Sequence, residues 1–415
     1  MNLADFFAKR RDQFPALQRL RNGMQSVFLD GPAGTQVPQC VIDAMSEYFV
    51  RCNANHGGLF DTSVESDRWL DESHQAVADL LNAADPTTIS FGQNMTSLTM
   101  SLSRALARTW KPGDEVIVTR LDHDANFRPW ILAANDAGAT VRIVDVHVDD
   151  CTLDLEQLKN YLNERTKLVA VGCASNSVGT INPIAEICQW VRSAGALTFV
   201  DAVHYAPHRA IDVQAFGCDF LACSAYKFFG PHLGIQWGRR EILEDILPYK
   251  LRPASDDLPG RWMTGTQSHE SIVGTMAAID YLVSIGKELG ASRSRREHLD
   301  TAFSAIERHE STLATDLIQA ISELPDIRIW GISDPARVAE RMPTISITHS
   351  KLTATEVAIQ LAKSGIFVWH GNYYAVELSE LLGCEPEGMV RLGIVHYNTS
   401  IELERLIAAL RSLSG

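Results

Sequence analysis

Short apolar runs alternate with longer stretches of helical spacing through the first two thirds of this chain. Ile89-Ser90-Phe91, Glu115 to Thr119, Val141 to Val146, Leu168 to Cys173, Leu197 to Val200, Phe220 to Ala225 and Ile235 to Gly238 are runs of strand-forming residues. Their near-continuous apolar character suits strands covered on both faces. Between them lie helical patterns at 37–49, 64–83, 98–109, around Trp130, and at 184–194. Strands alternating with helices predict an α/β sheet, mostly parallel. Residues 1–25 have a polar-amphipathic helical pattern, and 251–270 are polar and turn-rich. A long helical stretch covers 272–324, breaks near Gly286 to Gly290 and is closed by Pro325. Strands at 327–329 and 344–347 with helices at 354–364 and 400–413 predict a smaller α+β unit. The expected division is a large domain, 26–285, and a small domain made of 1–25 and 286–415. Internal repeats and low-complexity segments are absent from the sequence.

Composition narrows the function classes. A chain of 415 residues exceeds one small core, which supports two domains. The net charge of -14 argues against nucleic acid or an anionic membrane as partner. The eight cysteines contain no CxxC pair, so neither a zinc site nor a disulfide framework is indicated, and no metal is expected. The N-terminus lacks a basic-then-apolar leader pattern, and no apolar run approaches the ~18 residues of a membrane span. A cytoplasmic location is the expectation.

Candidate chemistry sits at the ends of two apolar runs. Leu197 to Val200 delivers Asp201, and Phe220 to Ala225 delivers Ser224 and, two residues beyond the run, Lys227. Ligands collect at the carboxyl ends of strands in open α/β sheets. A lysine there is costly unless paired, neutral or covalently used. A carboxylate beside a pyridine nitrogen keeps that nitrogen protonated and makes the ring an electron sink. This pairing points to pyridoxal phosphate (PLP), with Lys227 as its covalent amine and Asp201 as the partner of its ring nitrogen. Singly, Asp201 also reads as a helix cap and Lys227 as a solvated loop residue. Gly92 to Ser97, between a strand and a helix, reads either as a phosphate site or as an ordinary N-cap made by Thr96 or Ser97.

The ordered set of motifs resembles the class V aminotransferases of PLP fold type I, cysteine desulfurase-like branch. It comprises Phe28-Leu29-Asp30, Asn53 to His56, Phe91 to Thr96, Asp122 to Asn126, Ser175-Asn176 with Val178-Gly179-Thr180, Asp201 with His204, Ser224 with Lys227, Gly265-Thr266, and Arg391. The resemblance implies a large domain with a mostly parallel seven-stranded sheet, a smaller α+β C-terminal domain, and PLP as cofactor. It implies that Lys227 is the Schiff-base lysine and proton shuttle, Asp201 the ring-nitrogen partner and His123 the ring that stacks on the cofactor. His204 occupies the position that bonds the cofactor's phenolic oxygen. Thr96 and Ser224 resemble phosphate ligands, with Met95 and Tyr226 beside them in the cofactor set. Asn176 resembles the residue near cofactor and substrate carboxylate, and Arg391 the clamp on that carboxylate. His56 and Tyr374 are candidates for the substrate pocket. Thr266 resembles a residue that reaches the phosphate of a neighbouring subunit, which implies a homodimer.

Two departures bear on the chemistry. Tyr226 stands before the lysine where the usual motif has histidine. Tyr374, in Gly371-Asn372-Tyr373-Tyr374-Ala375, stands where sulfur-transferring relatives carry a nucleophilic cysteine. A phenol cannot accept sulfur as a persulfide. Cys384, seven residues before Arg391, reads as a displaced nucleophile or as a structural cysteine. The expected function is PLP chemistry on an α-amino acid, foremost C–S β-elimination. Transamination or epimerisation on the same scaffold, and a non-catalytic PLP-binding partner protein, are the alternatives.

Overall fold

The computed structural model describes residues 2–21, 23–290 and 294–413. Seven strands form its main sheet: Ile89–Gly92 (β1), Glu115–Thr119 (β2), Thr140–Val144 (β3), Thr166–Gly172 (β4), Leu197–Asp201 (β5), Phe220–Ser224 (β6) and Gly234–Gly238 (β7). Their order is β1-β7-β6-β5-β4-β2-β3. The pairs from β6 through β5, β4 and β2 to β3 are parallel. β7 runs antiparallel to both β6 and β1, so the sheet is mixed at one edge. The seven-stranded, mostly parallel expectation holds.

Strand side chains alternate between two cores, as the period of two requires. Ile117, Val169, Val171, Leu221 and Cys223 join the core formed with the helices Ile184–Ser193 and His269–Leu289. Val116, Val118, Leu168, Ala170, Phe220 and Ala222 join the opposite core with Leu102, Leu106 and Trp130. Coverage of both faces is why these strands read as continuous apolar runs.

A second sheet contains Ile327–Trp330 (β8), Thr344–His349 (β9), Trp369–Gly371 (β10) and Met389–Gly393 (β11), all antiparallel in the order β8-β9-β11-β10. Its core takes Val27 and Leu29 from the N-terminal part together with Leu317, Ile345, Leu392 and Leu406. Val27–Phe28 pairs with Ile366–Phe367, and Asp30 bridges to Gly393. The N-terminal connection thus runs between the two sheets.

Several boundaries differ from the sequence expectation. The helix expected over 1–25 is confined to Leu3–Arg10, followed by two short 3-10 turns and a small hairpin, Leu20–Arg21 with Met24–Gln25. Pro15 and Gly23 interrupt the pattern there. The helix expected from Leu98 starts at Met95, because Asn94 and Ser97 form a capping box. The long helical stretch divides near its expected break into two helices, His269–Leu289 and Arg295–Ser322, the first starting three residues earlier than expected. The strands β10 and β11 lie where no strand pattern was legible. Each is short, and β11 carries a charged residue, Arg391, at its centre.

Close approach fixes one glycine near the candidate chemistry. A Cβ on Gly234 would lie 2.3 Å from the carbonyl carbon of Asn94 and 2.7 Å from its Cα. Gly234→Ala is therefore expected to cost about 1–3 kcal/mol in urea unfolding. A loss below about 0.5 kcal/mol would show that the loop before Met95 yields freely.

Candidate active site

The carboxyl ends of β2, β4, β5 and β6 open on one cavity of about 480 Å³. Asp201 ends β5, opposite Gly172 of β4 and Ala222 of β6. Ser224 ends β6, and the 3-10 turn Ala225–Lys227 follows directly. His123 lies in the loop after β2, and Asn176 in the loop after β4. Met95 and Thr96 start the helix Met95–Ala107. From the second sheet come Arg391 on β11 and the loop through Tyr373 and Tyr374. All of these residues, with His204 and Tyr226, line the cavity.

The Lys227 amine is half-enclosed and donates to the main-chain carbonyls of Pro32 and Ala33, the latter at 3.1 Å. Burial, reinforced by the nearby Arg391 cation and partly offset by Asp201, pulls its pKa down to about 7. Asp201 is 8% exposed and accepts from the Val203 amide at 2.8 Å. Burial pushes its carboxyl up to about 6, against the opposing pulls of that bond and of Lys227. His123 is driven down to about 4, chiefly by burial, and is an uncharged ring near neutrality. Burial, then the neighbouring His208, also holds His204 well below the ordinary histidine range. Behind it, His208 Nδ1 meets the carboxylate of Glu310 at 2.9 Å, both side chains buried.

At the mouth nearest Met95, Ser224 Oγ accepts from the Met95 amide at 3.2 Å. The Met95 and Ser97 amides are already bonded, to Ser224 and Asn94, so the Thr96 amide, the Ser224 hydroxyl and the helix dipole are what favour an anion there. Arg391 is 4% exposed. It donates to the Asn176 carbonyl at 2.8 Å, and its guanidinium carbon lies 4.3 Å from the centre of the Tyr373 ring. Among the described residues no ion pair engages it. Desolvation lowers its pKa to about 10. The Asp30 carboxylate acts on it at longer range, and its remaining donors are open to a carboxylate that enters the cavity.

Tyr226 stacks on His232 with ring centres 5.0 Å apart, and its own ring lies 4.8 Å from the Lys227 amine. Tyr373 and Tyr374 have φ of 56° and 60°. Two successive side-chain-bearing residues in the left-handed region cost about 1–2 kcal/mol each, and such strain collects at functional sites.

Comparison with known proteins adds a family. The family Aminotransferase class-V matches residues 27–406. This chain belongs to the class V aminotransferase family. A cysteine desulfurase of Pectobacterium carotovorum is 30% identical over 97% of each chain. An aminotransferase-like protein of Gibberella zeae is 33% identical over 96% of each. The apo structure of a cysteine desulfurase from Thermococcus onnurineus superposes with a TM-score of 0.88 at 24% identity, covering 100% of this chain and 98% of that one. Class V aminotransferases and cysteine desulfurases are PLP-dependent, and this class V protein is a PLP-dependent enzyme of that kind.

The residues fit the cofactor. Two buried polar atoms on the cavity wall, His204 Nε2 and Asn176 Oδ1, have no hydrogen-bond partner. An anion-binding helix start, a buried acid, an uncharged imidazole and a perturbed lysine amine surround the same space. Gly172 keeps it open beside Asp122, whose Oδ1 would lie 2.7 Å from any added Cβ.

Of the residues singled out in the sequence, Met95, Thr96, His123, Asn176, Asp201, His204, Ser224, Tyr226, Lys227, Tyr374 and Arg391 come together. His56 and Thr266 do not. Both are exposed and away from the cavity, and the His56 ring lies 6.3 Å from that of His269. Cys384 lies outside the cavity lining, and burial raises its thiol pKa. Its reading as a structural cysteine is the one the geometry favours. Tyr373, read with Tyr374 as lining the pocket, does line it, while sequence reasoning assigned no role to Asp122 or to the carbonyls of Pro32 and Ala33. Asp122 is buried beside the cavity, its Oδ2 accepting from Thr119 Oγ1 at 2.5 Å. Burial raises its pKa to about 7. Its place in the Asp122-His123-Asp124 motif was the available signal.

The Lys227 amine is neutral above pH 7 or so, and only the neutral amine is nucleophilic. The rate at which apoprotein captures PLP, followed by visible absorbance, is expected to rise between roughly pH 6 and 8 and then level. A midpoint near the ordinary 10.5 would show that burial does not depress this amine.

Proposed function

We propose that this enzyme removes the α-proton of an α-amino acid and releases a sulfur-bearing β-substituent, as a cysteine desulfurase-like C–S lyase. One observation carries the reading. A lysine amine poised near neutrality, a buried carboxylate and a buried guanidinium without an ion-pair partner face one cavity.

PLP, when bound, supplies the sink for the electron pair left at the substrate α-carbon. The chain's residues do the rest. Ser224, Thr96 and the start of the helix Met95–Ala107 would hold the cofactor's phosphate. Asp201 would keep the cofactor's ring nitrogen protonated. His204, whose Nε2 has no partner, would bond the phenolic oxygen, and His123, uncharged near neutrality, would pack beside the ring. Arg391, with Asn176, grips the substrate carboxylate through the charged hydrogen bonds that a guanidinium fork provides. Lys227 anchors the cofactor and moves the proton at the substrate α-carbon.

No cysteine lines the cavity among the described residues. The sulfur therefore leaves as a free thiol or sulfide rather than on the protein. L-cysteine and water would yield pyruvate, ammonia and hydrogen sulfide. Transamination is the second reading, favoured by the 33% identical aminotransferase-like relative. Epimerisation needs the same proton transfer and stays the third. Arg391 speaks against a non-catalytic PLP-binding protein, because among the described residues no ion pair engages its buried guanidinium, which leaves donors for a substrate carboxylate.

A homodimer is part of this proposal. Phe49, Val50, Leu59, Phe60 and Val64 are exposed apolar side chains clustered in sequence around His56. Thr266 lies three residues before His269, which neighbours His56. A second copy covering this surface would bring Thr266 and His56 toward its own cavity. The cytoplasm suits eight free cysteines. The division into 26–285 and 1–25 with 286–415 is likewise proposed, supported by Arg11 pairing with Glu402 and Phe7 packing on His309 and His396.

Incubation with L-cysteine, L-cystine and a panel of amino acids tests the reaction. Pyruvate with ammonia from a sulfur-bearing substrate supports elimination, while a keto acid released without ammonia replaces it with transamination. Lys227→Ala should abolish covalent attachment of PLP after borohydride reduction, read by intact mass. Attachment that persists would move the anchor elsewhere. Arg391→Ala should raise KM by the equivalent of roughly 2–4 kcal/mol, and an unchanged KM removes its role.

A further inference from the structure

The two left-handed tyrosines face different parts of the site. The Tyr373 ring lies against the Arg391 guanidinium at 4.3 Å. The Tyr374 ring stacks on His123, with centres 5.4 Å apart and planes 22° from parallel. Arg391 belongs to the second sheet and His123 to the main one, so one dipeptide touches both.

Main-chain bonds pin this dipeptide in place. Asn176 Nδ2 donates to the Tyr373 carbonyl at 2.9 Å, and the Asp124 amide donates to the Tyr374 carbonyl at 2.7 Å. The Tyr373 hydroxyl donates to the carbonyl of Met389, two residues before Arg391 on the same strand. Residues two apart on a strand share a face. The phenol is thus tethered to the strand whose arginine its ring supports. Burial, first among its causes, holds the phenol above its ordinary pKa, so Tyr373 presents a neutral ring and not a phenolate counter-ion.

Arg391 has one N–H on the Asn176 carbonyl and an aromatic face beside it. A guanidinium buttressed in this way keeps its other donors for a ligand and loses little freedom when it binds. We propose that Tyr373 is a positioning residue for the carboxylate clamp, acting through the face of its ring, while Tyr374 buttresses His123. This rests on the reading of Arg391 as the carboxylate site.

The test compares Tyr373→Phe with Tyr373→Leu in the PLP-loaded enzyme. The probe is propionate, a carboxylate without an amine, titrated by its perturbation of the visible band. Tyr373→Phe keeps the ring and should bind propionate within about 3-fold of the parent. Tyr373→Leu should bind it about 10-fold more weakly and raise KM by a similar factor, with kcat little changed. Equal affinities for the Phe and Leu variants would overturn the proposal. Tyr373→Met, unbranched and able to fill the space, supplies the same comparison if the Leu variant fails to fold. Arg391→Ala separates the two readings. If it binds propionate as the parent does, the carboxylate site itself is wrong. If it loses propionate while Tyr373→Leu and Tyr373→Met do not, only the positioning role falls. For Tyr374→Ala we expect a shifted visible band or weaker PLP affinity with propionate affinity retained. The reverse pattern would overturn the division of labour between the two rings.

Discussion

A half-enclosed lysine amine, donating to two main-chain carbonyls and lowered in pKa by burial and a nearby arginine, is the constraint around which this molecule is arranged. Left alone, such an amine would be charged and costly. Its surroundings lower its pKa toward neutrality. That makes it usable as a nucleophile and as a proton carrier, roles closed to a fully exposed lysine at the same pH. Asp201 gains from the same burial in the opposite sense. Its carboxyl is raised, chiefly by burial.

The site needs both sheets. The main sheet supplies the acid and the amine from the adjacent parallel strands β5 and β6, and the helix start from β1, which two antiparallel pairings through β7 turn the same way. The second sheet supplies Arg391 and the tyrosine loop. A guanidinium from one unit and an amine from the other line one space, where burial lowers the pKa of both and the guanidinium lowers that of the amine further. Among the described residues Tyr374 lines the cavity and no cysteine does, with Cys384 outside its lining.

Much of the main sheet was legible because its strands are covered on both faces and its helices carry clear periodicity. Asp201, Ser224 and Lys227 were legible because they follow such runs within a few residues. The second sheet was less so. Its strand Met389–Gly393 holds a buried arginine, and local pattern does not mark a charged residue as interior. The N-terminal helix was overextended because amphipathic spacing ran on past Pro15, while the backbone could not.

The sequence by itself determined the strands and helices of the main sheet and the residues at its strand ends, since these depend on spacing over a few positions, and its ordered motifs, through their family resemblance, pointed to PLP. Only the tertiary structure decided that Tyr373 and Tyr374 divide between Arg391 and His123. It alone placed Cys384 outside the cavity, and His56 and Thr266 on the exposed surface. Those facts rest on contacts between segments up to hundreds of residues apart and on left-handed backbone at two tyrosines. Side-chain periodicity carries no signal for either.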